Sequence, residues 1–321
     1  MKISVLVPVY GVERYVEQCA KTLFAQTYSN LEYVFVDDCT PDNSVALIKQ
    51  VLAEYPHREQ QVNIIRHDRN RGLGAARKTA LDAATGDFVL NVDSDDYLSL
   101  DAVEKLVACQ QQTDADIVSG SFSSHFEDGT IVLHPEPHLD RDACLKLMLI
   151  QHTLLPHIWA RLIRKTVYTN HGIESIEGIN MAEDMALTPR LIHAAKKLSY
   201  IDDTVYFYRD DSSASSFANL SSKHVLSYVK ANETLWQYFN KNDKNRDFLF
   251  AFETGMLNVS YQALAIGIDK QQIAANLSYK PQLLLFRCLQ GALAHRQTLP
   301  MLRFAYLTVK WGYKKLIASF G

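Results

Sequence analysis

The stretch ISVLVPVYGVERYVEQCAKTLFAQTYSNLEYVFVDD, residues 3–38, changes its hydrophobic period twice. Ile3–Val7 is a short continuous apolar run, the pattern of a strand buried on both faces. Between Val12 and Gln26 the apolar residues Val16, Cys19, Ala20, Leu23 and Phe24 recur at helical spacing and share one face. Leu31–Val36 is again a continuous apolar run, and it stops at Asp37-Asp38. Strand, helix and strand in this order need a right-handed crossover and give two parallel strands.

The alternation continues outward. Asn43–Tyr55 carries Leu47, Ile48, Val51, Leu52 and Tyr55 on one helical face, with Asp42 or Asn43 as N-cap, and Val62–Ile65 and Phe88–Val92 read as further strands. The expectation is an α/β chain with a mostly parallel sheet covered by helices, which binds ligands at the carboxyl ends of its strands. Those ends are Pro8-Val9-Tyr10-Gly11, Asp37-Asp38, His67-Asp68 and Asp93-Ser94-Asp95-Asp96, so three of the four carry acid. On an extended backbone residues i and i+2 share a side, so Asp93 and Asp95 aim at one point while Ser94 and Asp96 face away. Two converging carboxylates suit Mg²⁺ or Mn²⁺, whose octahedron is completed by substrate and water. The plainer reading is a solvated turn capping the helix that begins near Leu100.

The chain has 321 residues, 47% hydrophobic and 21% charged, an ordinary composition for one or two globular domains. Its net charge of −3 divides into +8 after Asp269, where no acid occurs, and −11 before it. Five scattered cysteines without CxxC spacing point to reduced thiols in a cytoplasmic protein, each plainly read as a small buried hydrophobe. The N-terminus is too short and strand-like for a signal peptide, and no apolar run reaches the ~18 residues of a membrane span. An acidic sheet edge argues against nucleic acid as a partner.

Four separated motifs, residues 3–44, RNRGLGAARKTALDAATGDFVLNVDSDDYL from Arg69, AEDMAL from Ala182 and YFYRDDSSAS from Tyr206, resemble in order and spacing the family-2 inverting glycosyltransferases of the GT-A fold. The resemblance covers about residues 1–217, and implies a donor half at about 1–112 and an acceptor half at about 113–217, followed by a helical region over 218–321. The implied activity is metal-dependent, inverting transfer from a nucleoside diphosphate sugar, with a UDP-sugar favoured, to a hydroxyl of a glycan or lipid-linked acceptor. Capsule, lipopolysaccharide or exopolysaccharide synthesis is the expected setting.

The same resemblance implies roles for individual residues. Asp38 accepts the uracil N3–H, a role suited to a group that only accepts. Pro8, Val9 and Tyr10 form the loop under the base, Tyr10 being equally readable as a plug at the sheet edge. Asp95 is the principal metal ligand and Asp93 its companion, with Ser94 counted among the nucleotide-sugar contacts. The cation, Mn²⁺ or Mg²⁺, bridges the donor's phosphates and stabilises charge on the leaving diphosphate. Arg77, in Gly72-Leu73-Gly74-Ala75-Ala76-Arg77, reaches a phosphate, the acidic cluster or a plain salt bridge. Asp184 is the base that takes the acceptor proton, with Glu183 beside it on the acceptor side, and Arg209 enters the site from a last strand before a serine-rich lid at 210–216. Both acids also suit an ordinary helix start.

Trp159 reads either as an acceptor-site wall, stacking on a sugar face, or as core, and His224 either as a further metal ligand or as packing. Gly11 and Lys78 stand where the family often has Asn, and Pro189 inside the helix after Asp184 predicts a kink. Two rival readings are a sugar-nucleotide-binding module that has lost its base, against which Glu183-Asp184 speaks, and a phosphohydrolase with Asp93 as nucleophile. Such hydrolases carry their acid pair after the first strand, which here has none. The basic end, residues 300–321, has Phe304, Leu307 and Trp311 at helical spacing with Lys310, Lys314 and Lys315 able to extend to the other side. This helix either packs on the core or lies on the anionic inner face of the cell membrane.

Overall fold

In a computed structural model of the chain, residues 3–38 form β1 (Ile3–Val9), α1 (Val16–Phe24) and β2 (Leu31–Asp37). The structure describes residues 1–150, 154–210, 222–244 and 246–265, together with Tyr279, Gln282 and Leu307. All seven β1 residues are buried, because β1 pairs in parallel with β2 on one side and with β4 on the other. The alternation proceeds through α2 (Ser44–Ala53), a 3-10 turn at Pro56–Gln61, β3 (Val62–Arg66), α3 (Leu73–Ala83) and β4 (Phe88–Asn91). Asn43 occupies the cap position of α2 without a side-chain cap bond, whereas the Asp42 carboxylate accepts from the Ser44 N–H at 3.1 Å. Val16, Cys19, Ala20, Leu23 and Phe24 of α1 are all buried, and Phe24 meets Tyr33 edge-on at 5.3 Å.

Beyond β4 come β5 (Tyr97–Leu98), α4 (Ala102–Thr113), β6 (Ile117–Phe126) and β7 (Ile131–His134), and after α5 (Arg141–Leu149) come β8 (Arg161–Arg164) and α6 (Lys165–Thr169). Helix α7 (Glu183–Ala194) precedes β9 (Leu198–Asp210). Among the described residues nine strands make one sheet in the order β3-β2-β1-β4-β8-β6-β9-β5, with β7 added along β6. The first four are parallel, while β8 is antiparallel to β4 and β6, and β9 runs parallel to β6 and antiparallel to β5. At Gly120 a Cβ would press on Val205, beside the register shift in the β6–β9 pairing.

The amino edge of the parallel strands is closed by Glu32. Burial alone would raise its pKa, but the Lys2 ammonium, the Ser4 hydroxyl and the Thr85 N–H and hydroxyl outweigh that and hold it at about 2.

The chain divides into two compact units, one of Met1–His138, His157–Asn180 and Ala194–Ala218, the other of Leu139–Pro156, Met181–His193 and Asn219–Gly321. The first holds the sheet. In the second, α8 (Ser222–Asn242) and α9 (Leu249–Ala265) join α5 and most of α7. The sequence reading kept 139–156 and 181–193 within a domain ending at 217, whereas these segments group with the C-terminal helices. The reason is local packing: His193 meets Phe239 and Phe248 edge-on at 5.3 and 5.6 Å, Lys146 lies over Phe248 at 5.8 Å, and Ser227 Oγ bonds both the N–H and the carbonyl of Met181. Pro189 lies inside α7 without ending it.

Among the described residues no helix is long and apolar enough to cross a membrane. The serine-rich segment after Asp210 and, except for Leu307, the basic end at 300–321 lie outside the described residues.

Candidate active site

The carboxyl edge of the parallel strands is stitched together by short polar side chains. Gly11, at φ 68°, donates its N–H to Thr40 Oγ1 at 2.9 Å, and the Glu13 N–H reaches Asp42 at 2.9 Å, so the loops after β1 and β2 are tied to each other. Thr40 is in turn held by its N–H to Asp37 Oδ1 at 2.8 Å, directly after Cys39, a non-glycine residue at φ 58°. Pro8 and Val9 are buried within β1, and Tyr10 is 50% exposed. Of the three residues expected under a base, only Tyr10 has its ring at the surface, so it does not plug the sheet edge.

Strand β4 stops at Asn91, and residues 93–96 form a turn rather than the extended strand that the i, i+2 reading assumed. The turn is closed by the Asp96 N–H on the Asp93 carbonyl at 3.1 Å. Asp95 is exposed and Ser94 and Asp96 are buried, so Asp95 alone stands clear at the tip. Ser94, expected to touch the nucleotide sugar, has its side chain inside. Desolvation and the charge of Asp93 push the Asp95 carboxyl up to about 6, and burial with the charges of Asp95 and Asp93 raises Asp96 well above the carboxylate range. Asp93, 25% exposed, accepts from Arg77 Nη2 at 2.8 Å. Arg77 thus pairs with the acidic cluster.

Asp96 is satisfied from β9, since Tyr206 Oη donates to its Oδ2 at 2.7 Å and the Arg209 N–H to its Oδ1 at 2.7 Å. The Arg209 guanidinium bonds Gln18 and lies over the rings of Tyr97 at 4.9 Å and Tyr15 at 5.4 Å, while its Nε is buried with no hydrogen-bond partner. Tyr97 continues to His125 Nδ1 at 2.9 Å, and burial and Arg209 lower the pKa of that imidazole. Two arginines and three aspartates therefore share one strand end. Arg209 lies beside the turn, its N–H on Asp96. Tyr15, Gln18 and Tyr206 lie within the motifs quoted above but were given no role of their own, because their partners are far along the chain.

Among the described residues no group of three or more His, Cys, Asp or Glu side chains could hold a metal ion. The turn nevertheless fits a divalent cation of the Mg²⁺ or Mn²⁺ kind. A carboxylate whose charge is disfavoured first by desolvation and then by Asp93 gains from a cation, and such ions take the rest of their oxygen shell from phosphate and water. Arg77 occupies Asp93 Oδ1, so a cation here would take Asp95 as its main ligand and Asp93 as the lesser one.

Asp38 is buried and already engaged. Its Oδ1 lies 2.6 Å from His67 Nδ1 and accepts from the Arg71 N–H at 2.8 Å, and its Oδ2 accepts from the Gly72 N–H at 2.7 Å. His67 Nε2 continues to Thr79 Oγ1 at 2.9 Å. The carboxylate therefore braces the loop that leads into α3, where a Cβ on Gly72 or Gly74 would collide with Asn180 or with the Ile176 carbonyl. Oδ2 takes the Gly72 N–H and has a second acceptor position.

Trp159 is 7% exposed and belongs to an aromatic stack with His157 at 4.1 Å and Tyr206 at 4.4 Å, with Phe122 edge-on at 4.8 Å. It is core, not an acceptor wall: its ring lacks the open face that a sugar needs. Glu183 and Asp184 open α7 in the second unit, half-buried, directly after Ala182 at φ 64°. Their charges, after burial, raise the Tyr228 hydroxyl to about 12. His224 is within α8, its side chain outside the described residues.

The model of the family "Glycosyl transferase family 2" matches residues 4–172. The glycosyltransferase EpsJ of Bacillus subtilis is 29% identical over 65% of this chain and 61% of its own length. A poly(ribitol-phosphate) beta-glucosyltransferase of Bacillus spizizenii is 30% identical over 65% of this chain and 32% of its own. The chain thus spans less than two thirds of either relative. Among solved structures, Staphylococcus aureus TarS 1–349 in complex with UDP-GlcNAc has a TM-score of 0.57 at 19% identity, over 100% of this chain and 91% of that one, a likeness of fold.

Proposed function

This chain belongs to glycosyl transferase family 2 and has the GT-A fold, and on that premise we propose that it moves a sugar from a UDP-sugar to a hydroxyl of a glycan or lipid-linked acceptor, with inversion and with Mn²⁺ or Mg²⁺. The observation that carries the reading is the turn 93–96, where Asp95 is exposed while Arg77 neutralises Asp93 and Arg209 stands alongside. A bound cation would stabilise the charge that develops on the leaving diphosphate. Asp95, aided by Asp93, would hold it; Arg209 would steady the phosphates, and Tyr10 and the remaining acceptor position of Asp38 would serve the base.

In the reaction the acceptor oxygen forms its bond to the anomeric carbon as the bond to the diphosphate breaks, and the hydroxyl proton passes to the Asp184 carboxylate, with Glu183 beside it. The choice of UDP is supported by TarS, crystallised with UDP-GlcNAc, and a polyol or glycan hydroxyl as acceptor by the poly(ribitol-phosphate) relative. The proposed setting is the cytoplasm, with residues 300–321 on the inner membrane face, where a lipid-linked acceptor is confined.

The experiment is a thermal-shift series with UDP-, GDP- and CDP-linked sugars, with and without Mn²⁺, followed by UDP release on addition of hydroxyl acceptors. A Mn²⁺-dependent rise with UDP-sugars and acceptor-stimulated release is the expected result. No shift with any nucleotide sugar overturns the reading.

A further inference from the structure

We propose that Tyr206 and Asp96 are a positioning pair that holds the acidic turn 93–96 in the shape that receives the donor's diphosphate and its cation, an inference that rests on the reading of that turn given above. A single phenolic oxygen ties both ends of the turn: it accepts from the Asp93 N–H at 3.1 Å and donates to Asp96 Oδ2 at 2.7 Å. The second oxygen of Asp96 takes the Arg209 N–H at 2.7 Å. Tyr206 is 0% and Asp96 1% exposed, so neither side chain is open to a ligand.

Asp95 lies between the two tied residues, and its position follows theirs. The phenol ring is itself fixed, stacked on Trp159 with centroids 4.4 Å apart and planes 14° from parallel. A carboxylate offered to a cation works best when its backbone is already in place, and a turn of four residues has few bonds of its own to achieve this. Strand β9 supplies them: Tyr206 pairs with Leu98 on one side and Phe122 on the other, so the hydroxyl is anchored to the sheet.

The test uses the full chain, with UDP and Mn²⁺ as probe and calorimetric binding as readout alongside turnover. Tyr206→Phe keeps the stack and removes only the hydroxyl. We expect it to fold, to bind UDP with Mn²⁺ about tenfold more weakly, and to need correspondingly more Mn²⁺ for half-maximal binding, the effect of one lost hydrogen bond to a charged group. Trp159→Phe, which disturbs the stack and leaves the hydroxyl, is expected to lower the melting temperature without that change in Mn²⁺ requirement.

Wild-type UDP and Mn²⁺ affinity in Tyr206→Phe, or equal weakening in Trp159→Phe, overturns the proposal. Asp95→Asn separates it from the underlying reading. If that variant binds UDP with Mn²⁺ like wild type, the assignment of the turn falls and the pair with it. If Asp95→Asn loses binding while Tyr206→Phe does not, only the pair falls. Should Tyr206→Phe not fold, Asp96→Asn, which keeps the shape and removes the charge, carries the same comparison.

Discussion

Arg77 Nη2 donates to Asp93 Oδ1 at 2.8 Å from a guanidinium 2% exposed, while Asp95, two residues on, stands exposed at the tip of the same turn. The two acids of the Asp93-Ser94-Asp95 motif are therefore not interchangeable. Asp95→Asn is expected to abolish transfer and metal-dependent UDP binding with the melting temperature maintained. Asp93→Asn takes a charge from a buried arginine and is expected to destabilise the chain by up to about 3 kcal/mol. Denaturant melts and UDP titrations of the two variants check this, and similar melts for both would contradict it.

Asp184→Asn keeps shape and loses basicity. Donor affinity is expected to stay while transfer falls by roughly 10²- to 10⁴-fold. Donor Kd and single-turnover rate measured on the same preparation decide it, and a parallel loss of affinity would remove the base assignment.

Glu32 gives the acid limit of the sheet. Its folded pKa of about 2 lies below the ordinary value of 4.5, so its contribution is complete above about 4.5 and is lost as pH falls toward 2, where the unfolded chain binds the extra proton first. Glu32→Gln should be less stable than wild type at pH 6 by up to about 3 kcal/mol, with the difference shrinking steadily below pH 4.5. A difference independent of pH would show that the loss is packing alone.

Membrane association through residues 300–321 predicts co-sedimentation of the full chain with anionic vesicles at low salt, release at high salt, and loss of binding in a chain ending at residue 299. A truncated chain that sediments equally well would place the contact elsewhere.

What was legible in the sequence is what has a short period. Strands β1 to β4, the helices between them and the helix start at Glu183 follow from apolar spacing within windows of ten or so residues. The acidic turn was legible too, because charge at a strand end is unusual. The geometry of that turn was not, since a change of backbone direction after Asn91 leaves no mark in residue type. Asp38 was found as an acid, but its donors are the backbone N–H groups of Arg71 and Gly72, which every residue but proline carries. Trp159 had two readings because an aromatic serves equally well against a sugar or in a stack, and its partners His157, Phe122 and Tyr206 come together only through β6 and β9. The grouping of α5 and α7 with the C-terminal helices depends on contacts such as Lys146 with Phe248, beyond any local pattern.

The pairing of Tyr206 with Asp96 spans 110 positions of sequence. As the chain leaves a ribosome, the four parallel strands and the acidic turn emerge long before β9 can secure that turn. The contact that secures the turn is thus among the non-local ones, and a nascent chain stopped short of residue 206 carries the motif without the strand that ties it.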